Sequence, residues 1–277
     1  MSFALRGASV RHPASAAASA HAPAGFALSD VSLSIGQGEQ VALIGPSGAG
    51  KTTLLHTFAC AHRAQSGTFS AFGLSPWDLT HAERHVLRAR LFLAPQTPPL
   101  PPRQRVVTAV LAGRLPQWGF WRALAALIKP GGANAQIAYD ALARFNLQDK
   151  LYARVDRLSG GERQRCGMAR LLVSSAEAFL VDEPLSALDP TLALQTLAAL
   201  QQESTSRNAT LICSLHQVEL ARSYFPRIVG LRDGRIVFDA ARAQVTDAMI
   251  AALYQNAGST PSADADQLRP VVIIAHC

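Results

Sequence analysis

Apolar positions along this chain follow two different periods, and the switches between them mark out its parts. Short β-branched runs at Val41–Ile44, Phe179–Val181 and Leu211–Cys213 show no polar alternation, the pattern of strands buried on both faces of a parallel sheet. Each leads into a turn-rich segment and then a helical repeat. From 104 to 157 the repeat is helical almost throughout, in VVTAVLAGRL, WRALAALI and NAQIAYDALARF. Near the end, IVGLRDGRIVFD reads as two strands joined by a two-residue turn at Asp233-Gly234. This layout predicts an α/β core interrupted by a mostly helical insertion.

Three segments stand outside the periods. Residues 13–24, PASAAASAHAPA, are too poor in large apolar groups to pack and read as a flexible surface loop. Residues 95–102, PQTPPLPP, contain five prolines and exclude both a helix and a central strand. The tail from Ser259 starts polar and ends in VVIIAHC, too short an apolar run for a membrane anchor; it is an added edge strand or a simple extension.

Composition narrows the picture. At 277 residues a sizeable core is available, as one large domain or a domain with an inserted part. The net charge of +7 invites a nucleic-acid or membrane-surface partner, but it is dispersed, with no run of five or six basic residues. No stretch of eighteen apolar residues occurs, and MSFALRGASVRH lacks the form of a secretion signal. The expectation is a protein that meets a membrane only through a partner. Cys60, Cys166, Cys213 and Cys277 show no metal-ligand spacing, as for reduced thiols in the cytosol.

The chemistry is concentrated in three motifs. GPSGAGKT, from Gly45 to Thr52, fits G-x-x-x-x-G-K-[ST] after a predicted strand and before a helical run. Glycines there let backbone N–H groups converge on phosphate oxygens, and the following helix N-terminus favours negative charge. Candidate nucleotide-binding residues are thus Gly45, Pro46, Ser47, Gly48, Ala49, Gly50, Lys51, Thr52 and Thr53. Lys51 can reach the β- and γ-phosphates of ATP, and the Thr52 hydroxyl can ligate Mg²⁺. The second motif is the apolar strand FLVD, ending in Asp182, a candidate for the Mg²⁺ hydration shell, followed by Glu183, a candidate general base. The third is LSGGERQR, where Ser159 and Glu162 have the spacing of a capping box.

In that order GPSGAGKT, Gln96, LSGGE, FLVDEP, SALD and His216 resemble the ATP-binding subunit of ABC transporters, over roughly residues 5–255. The resemblance implies a P-loop NTPase α/β core, with a mostly parallel sheet, an antiparallel β subdomain and a helical insertion at about 97–157; 256–277 remain a tail. It implies two copies meeting head to tail, with Ser159, Gly160, Gly161 and Glu162 of one serving the nucleotide of the other. Gln96 takes the place of the glutamine that approaches Mg²⁺ and the attacking water. Ser186 to Asp189 match the interface-crossing loop, and His216 the γ-phosphate histidine. Glu183, His216, Lys51 and Gln96 are the implied catalytic set. Integral membrane permease subunits and, indirectly, a periplasmic substrate-binding protein are the implied partners, at the cytoplasmic face of the membrane, with no nucleic acid.

A narrower resemblance joins VLAGRLPQWGFWRAL, SLHQVELAR and IVGLRDGRIVFD to the ATPases of phosphonate importers, implying phosphonate or a related oxyanion as cargo. Taken singly, Trp118 and Trp121 read as core residues. Three departures stand out. The early aromatic that stacks on adenine is replaced by His12 or by His21, according to where the alanine-rich insert is placed; His12 is preferred. The proline run after Gln96 predicts a rigid strut where the family has a moving link. SGGER stands where the subfamily usually has SGGQQQR. Other readings are an ABC ATPase with a different cargo, an exporter, a soluble ABC ATPase on nucleic acid, and a non-catalytic nucleotide-binding module. With the match ending near Tyr254, no added regulatory domain is expected.

Overall fold

Strand periodicity organises the main sheet. The computed structural model describes residues 1–11, 26–128 and 130–255. His12, His21, segment 13–24 and the VVIIAHC tail therefore lie outside the described residues. Six strands, β3 (Gln40–Ile44), β5 (Leu91–Ala94), β6 (Ala178–Asp182), β7 (Thr210–Ser214), β8 (Arg227–Arg232) and β9 (Arg235–Ala241), line up in the order β5-β6-β7-β3-β8-β9. All pair in parallel except β9, which runs antiparallel at one edge.

Successive side chains of a strand point to opposite faces, so an unbroken apolar run feeds two cores at once. Val41, Leu43, Leu180 and Ile212 join one core; Ala42, Ile44, Phe179, Val181, Leu211 and Cys213 join the other. The first core is closed by α1 (Lys51–Phe58) and by an antiparallel sheet of β1 (Phe3–Arg11), β2 (Phe26–Ile35) and β4 (Ser66–Ala71), ordered β2-β1-β4. α2 (His81–Ala89), which leads into β5, opens with a capping box between Thr80 and Glu83. The β8–β9 hairpin turns at Asp233 and Gly234, both with positive φ (50° and 73°), as a tight two-residue turn requires.

The second core belongs to the helical insertion and the helices after it. α3 (Val106–Leu111), a 3₁₀ stretch at Ala112–Gln117, α4 (Phe120–Ile128) and α5 (Gly132–Ala143) precede α6 (Gly160–Leu172). The last of these packs against α3, α5 and α7 (Pro190–Arg207). α8 (Val218–Tyr224) and α9 (Asp247–Tyr254) finish the described chain. Trp118 is 9% exposed, with the guanidiniums of Arg114 and Arg122 at 5.7 and 5.6 Å from its ring centre. Trp121 departs from the core expectation, being 78% exposed beside the exposed Phe120. Consecutive helical positions point about 100° apart, so a WGFWR segment cannot bury all its rings on one face.

At one point the insertion also meets α6 backbone to backbone. A Cβ on Gly113 would lie 2.1 Å from the Arg170 carbonyl oxygen and 3.0 Å from Val173 Cγ2. The proline run is neither helix nor strand, and a Cβ on Gly167 would lie 2.6 Å from Pro98 Cγ, so the Pro98 ring seats directly on α6. Gly113→Ala must therefore push two backbones apart. It should cost about 1–3 kcal/mol, as overpacking of a filled site does. The check is the thermal midpoint, which falls by several degrees; an unchanged midpoint would mean that the insertion sits loosely on α6.

Candidate active site

Ligands of open α/β sheets bind beyond the carboxyl ends of the strands. Four of those ends stand side by side here, because β5, β6, β7 and β3 are neighbours. Gln96 follows β5, Asp182 and Glu183 close β6, Ser214 and His216 close β7, and Gly45–Thr52 follows β3. Candidate residues up to 171 positions apart in sequence (216 − 45) thus meet on one edge.

The glycine-rich loop is built as its motif requires. Gly45, Gly48 and Gly50 all have positive φ (149°, 76° and 100°). At Gly45 a Cβ would lie 2.0 Å from the Leu231 carbonyl oxygen, and at Gly50 2.7 Å from that of Ala27. The loop is therefore held from outside by β8 and β2. Pro46, Ser47 and Ala49 complete the turn, with Ala49 N–H donating to the Pro46 carbonyl (3.2 Å). Lys51 is only 5% exposed, and its ammonium donates to the carbonyls of Gly45 (2.7 Å) and Pro46 (3.1 Å). Thr52 is exposed at the start of α1, whereas Thr53 is buried and its carbonyl accepts from Thr57 Oγ1 (2.8 Å).

Beside it one hydroxyl ties the Asp182 carboxylate to the Glu183 backbone. Ser214 Oγ donates to Asp182 Oδ1 (2.6 Å) and accepts from the Glu183 N–H (2.9 Å). Asp182 and Ser214 are opposite each other in the β6–β7 register. Glu183 adopts a left-handed backbone, φ 48°, which costs a non-glycine residue about 1–3 kcal/mol. That turn aims its carboxylate between two partners. Gln96 Nε2 donates to Oε2 (2.8 Å), and His216 Nε2 lies 2.5 Å from Oε1.

The third motif forms the capping box that its spacing predicts. Ser159 Oγ accepts from the Glu162 N–H (3.2 Å), and a Glu162 carboxylate oxygen accepts from the Ser159 N–H (2.8 Å). That backbone N–H, with Lys150 nearby, holds the Glu162 carboxyl below its ordinary pKa. Glu162 therefore has a structural task within this chain. So has Asp189, which caps α7 by accepting from the Leu192 N–H (3.0 Å). Among the described residues no hydrogen bond or ion pair joins Ser159, Gly160, Gly161 or Glu162 to the loop at Gly45–Thr52.

Two residues of this site were given no role by the sequence, although Gln164 lies within LSGGERQR and Ser214 opens SLHQVELAR. Ser214 follows the apolar run Leu211–Cys213, and its place opposite Asp182 follows once β6 and β7 are paired. Gln164 was hidden inside a helix, and its amide donates to the Glu183 carbonyl (2.8 Å).

Burial depresses the pKa of Lys51, against the opposing pull of Glu183 and Asp182. The unfolded chain then holds more protons than the folded one between the depressed value and the ordinary lysine range. Stability contributed by this site should rise with pH across that window. Denaturant unfolding of the native chain and Lys51→Met at neutral and alkaline pH checks this. The difference between them should shift in favour of the native chain as pH rises; a constant difference would leave Lys51 with an ordinary pKa.

The ABC transporter family profile matches residues 28–186. The phosphonates import ATP-binding protein PhnC of Polaromonas sp. is 57% identical over 254 residues, covering 92% of this chain and 89% of its own. PhnC 2 of Albidiferax ferrireducens is 50% identical, with both chains covered in full. Among solved structures, the dimeric post-hydrolysis state of an ATP-binding cassette bound to ADP and Pi aligns with a TM-score of 0.75 at 23% identity, over 87% of this chain and 98% of that one. That likeness bears on the fold alone. With the motif order, the sheet edge and these relatives in agreement, the chain belongs to the ABC transporter family as an ATP-binding, ATP-hydrolysing subunit.

Proposed function

We propose that this ATPase powers uptake of phosphonates or a related oxyanion, working as a head-to-tail pair of identical chains on a separate membrane permease. The cargo rests on the names of the relatives and on the three stretches, from Val110 to Leu124, Ser214 to Arg222 and Ile228 to Asp239, that resemble phosphonate-importer ATPases. Among the described residues no helix is long and apolar enough to cross a membrane, so the permease supplies the path. The site would then lie at the cytoplasmic face, with a periplasmic binding protein delivering cargo from the other side. The exposed Phe120–Trp121 pair in the insertion suits a protein contact better than water.

One observation carries the chemistry: the Glu183 carboxylate is held by Gln96 and His216, next to Asp182 and the buried Lys51. Phosphoryl transfer to water needs positioning and charge more than covalent chemistry. Lys51 and the N–H groups at the start of α1 would bind the β- and γ-phosphates of ATP. Thr52, Asp182 and Gln96 have the donor set to hold Mg²⁺, which when bound offsets phosphate charge. The fit is good: Thr52 is exposed, and Ser214 is bonded to only one of the two Asp182 oxygens. Glu183 would take the proton of the attacking water or orient it, with Gln96 and His216 fixing its two oxygens.

A second copy is favoured by the two glycines of the third motif. A Cβ on Gly161 would lie 2.7 Å from the Ala187 carbonyl oxygen, whereas one on Gly160 would meet nothing within 4 Å. Among the described residues nothing demands a glycine at 160. A close approach from outside would.

Glu183→Gln decides this reading. It keeps the shape of the side chain and removes the base, so hydrolysis should fall at least a hundredfold while ATP still binds and paired chains accumulate. In the native chain, specific ATPase activity should rise with protein concentration. A cell carrying Glu183→Gln should lose growth on a phosphonate as sole phosphorus source. Hydrolysis at the native rate would remove Glu183 from the chemistry, and activity independent of concentration would remove the pair.

A further inference from the structure

The signature helix α6 and the Glu183 carboxylate are joined inside this chain by one side chain. Gln164 is 2% exposed, a buried amide one turn and a half beyond the Ser159 cap. Its Nε2 donates to the Glu183 carbonyl oxygen (2.8 Å) and approaches Ser186 Oγ (3.3 Å), and its Oε1 accepts from the Ala187 N–H (3.2 Å). The amide group is therefore engaged on both sides, and an amide alone offers donor and acceptor together at that spot. Glu183 needs such support: its left-handed φ of 48° persists only if its surroundings fix it. Ser214 holds its N–H, while Gln164 and Ser186 hold its carbonyl. Residues three apart share a helix face, and Gly161 and Gly167 flank Gln164 at that spacing. Gly161 lies against Ala187, and Gly167 against Pro98, two residues beyond Gln96. A cleft of about 610 Å³ opens between these segments, lined by Gln96, Pro98, Gly160, Gln164 and Ser186.

We propose that Gln164 is the positioning residue through which the placement of α6 sets the Glu183 carboxylate. A shift of α6 pulls on the Glu183 carbonyl through the amide and turns the side chain toward or away from Gln96 and His216. Any contact made at Ser159 or Gly160 is in this way mechanically tied to the base. The proposal rests on the assignment of Glu183 made above.

Two variants of the full chain test it. Gln164→Met removes all three hydrogen bonds of the amide at similar volume. Gln164→Glu keeps the acceptor for Ala187, and its carboxyl can donate to the Glu183 carbonyl only when protonated. With Gln164→Met, kcat for ATP should fall at least tenfold while the KM for ATP stays within twofold. With Gln164→Glu, kcat relative to the native chain should recover as pH is lowered, a change that a purely structural role would not produce. Thermal unfolding and binding of a fluorescent ATP analogue verify folding; should Gln164→Met fail to fold, the pH profile of Gln164→Glu decides. Native kcat in Gln164→Met, a loss confined to KM, or a flat pH ratio for Gln164→Glu would each overturn the proposal. Glu183→Gln run beside them separates the two failures: if it hydrolyses ATP normally, the assignment of Glu183 is at fault, and not the link from Gln164.

Discussion

One hydroxyl, that of Ser214, holds the site in register. It sits at the end of β7, donates to the Asp182 carboxylate and accepts the N–H of Glu183. A buried carboxylate must be paired or hydrogen-bonded, and a left-handed glutamate must be clamped; this group meets the first need and shares the second with Gln164 and Ser186. That arrangement exists only because β6 and β7 are parallel neighbours with Asp182 opposite Ser214. The same parallel order puts Gln96 on one side and the glycine-rich loop on the other. Strand pairing thus comes first, and the geometry of the carboxylates follows from it.

Much of this was readable beforehand, for identifiable reasons. An apolar run without alternation has to be buried on both faces, so the strands at Val41, Phe179 and Leu211 and the hairpin at Asp233 followed from elementary geometry. The phosphate loop and the capping box were equally legible, since each depends on neighbours within a few residues. What could not be read depends on contacts across the chain. Ser214 acquires its task only when a strand 32 positions away is laid beside it. Gln164 looks like any polar helix residue until Glu183 is placed against it. Trp118 and Trp121 share a segment and a residue type, yet only packing decides that one is buried and the other exposed.

Helix α6 is where the insertion and the chemistry meet. On one side the insertion presses Gly113 against the Arg170 carbonyl oxygen. On the face that carries Gly161, Gln164 and Gly167, α6 touches the loop after Glu183 and the proline run after Gln96. Contacts between backbone and glycine, or between a proline ring and glycine, have few rotamers with which to absorb a displacement. Any movement of the insertion would, on these contacts, reach the segments that carry Gln96 and Glu183. A stiff proline run suits that role, because a flexible one would yield before it transmitted anything.

The two adjacent glycines of the third motif separate what this chain needs for itself from what it offers. Gly161 is demanded from within, by the Ala187 carbonyl oxygen where a Cβ would go. Gly160 is not: a Cβ there would meet nothing within 4 Å among the described residues. Ser159 and Glu162 are likewise explained by the capping box, which many helices possess without any ligand. Of the four residues, only Gly160 has no neighbour among the described residues that accounts for it. A backbone left bare on an open surface is what a closely approaching phosphate requires, since any side chain would hold the phosphate off. Under the proposed pairing, that phosphate would belong to the nucleotide carried by the other copy, with Gly160 as its bare backbone contact.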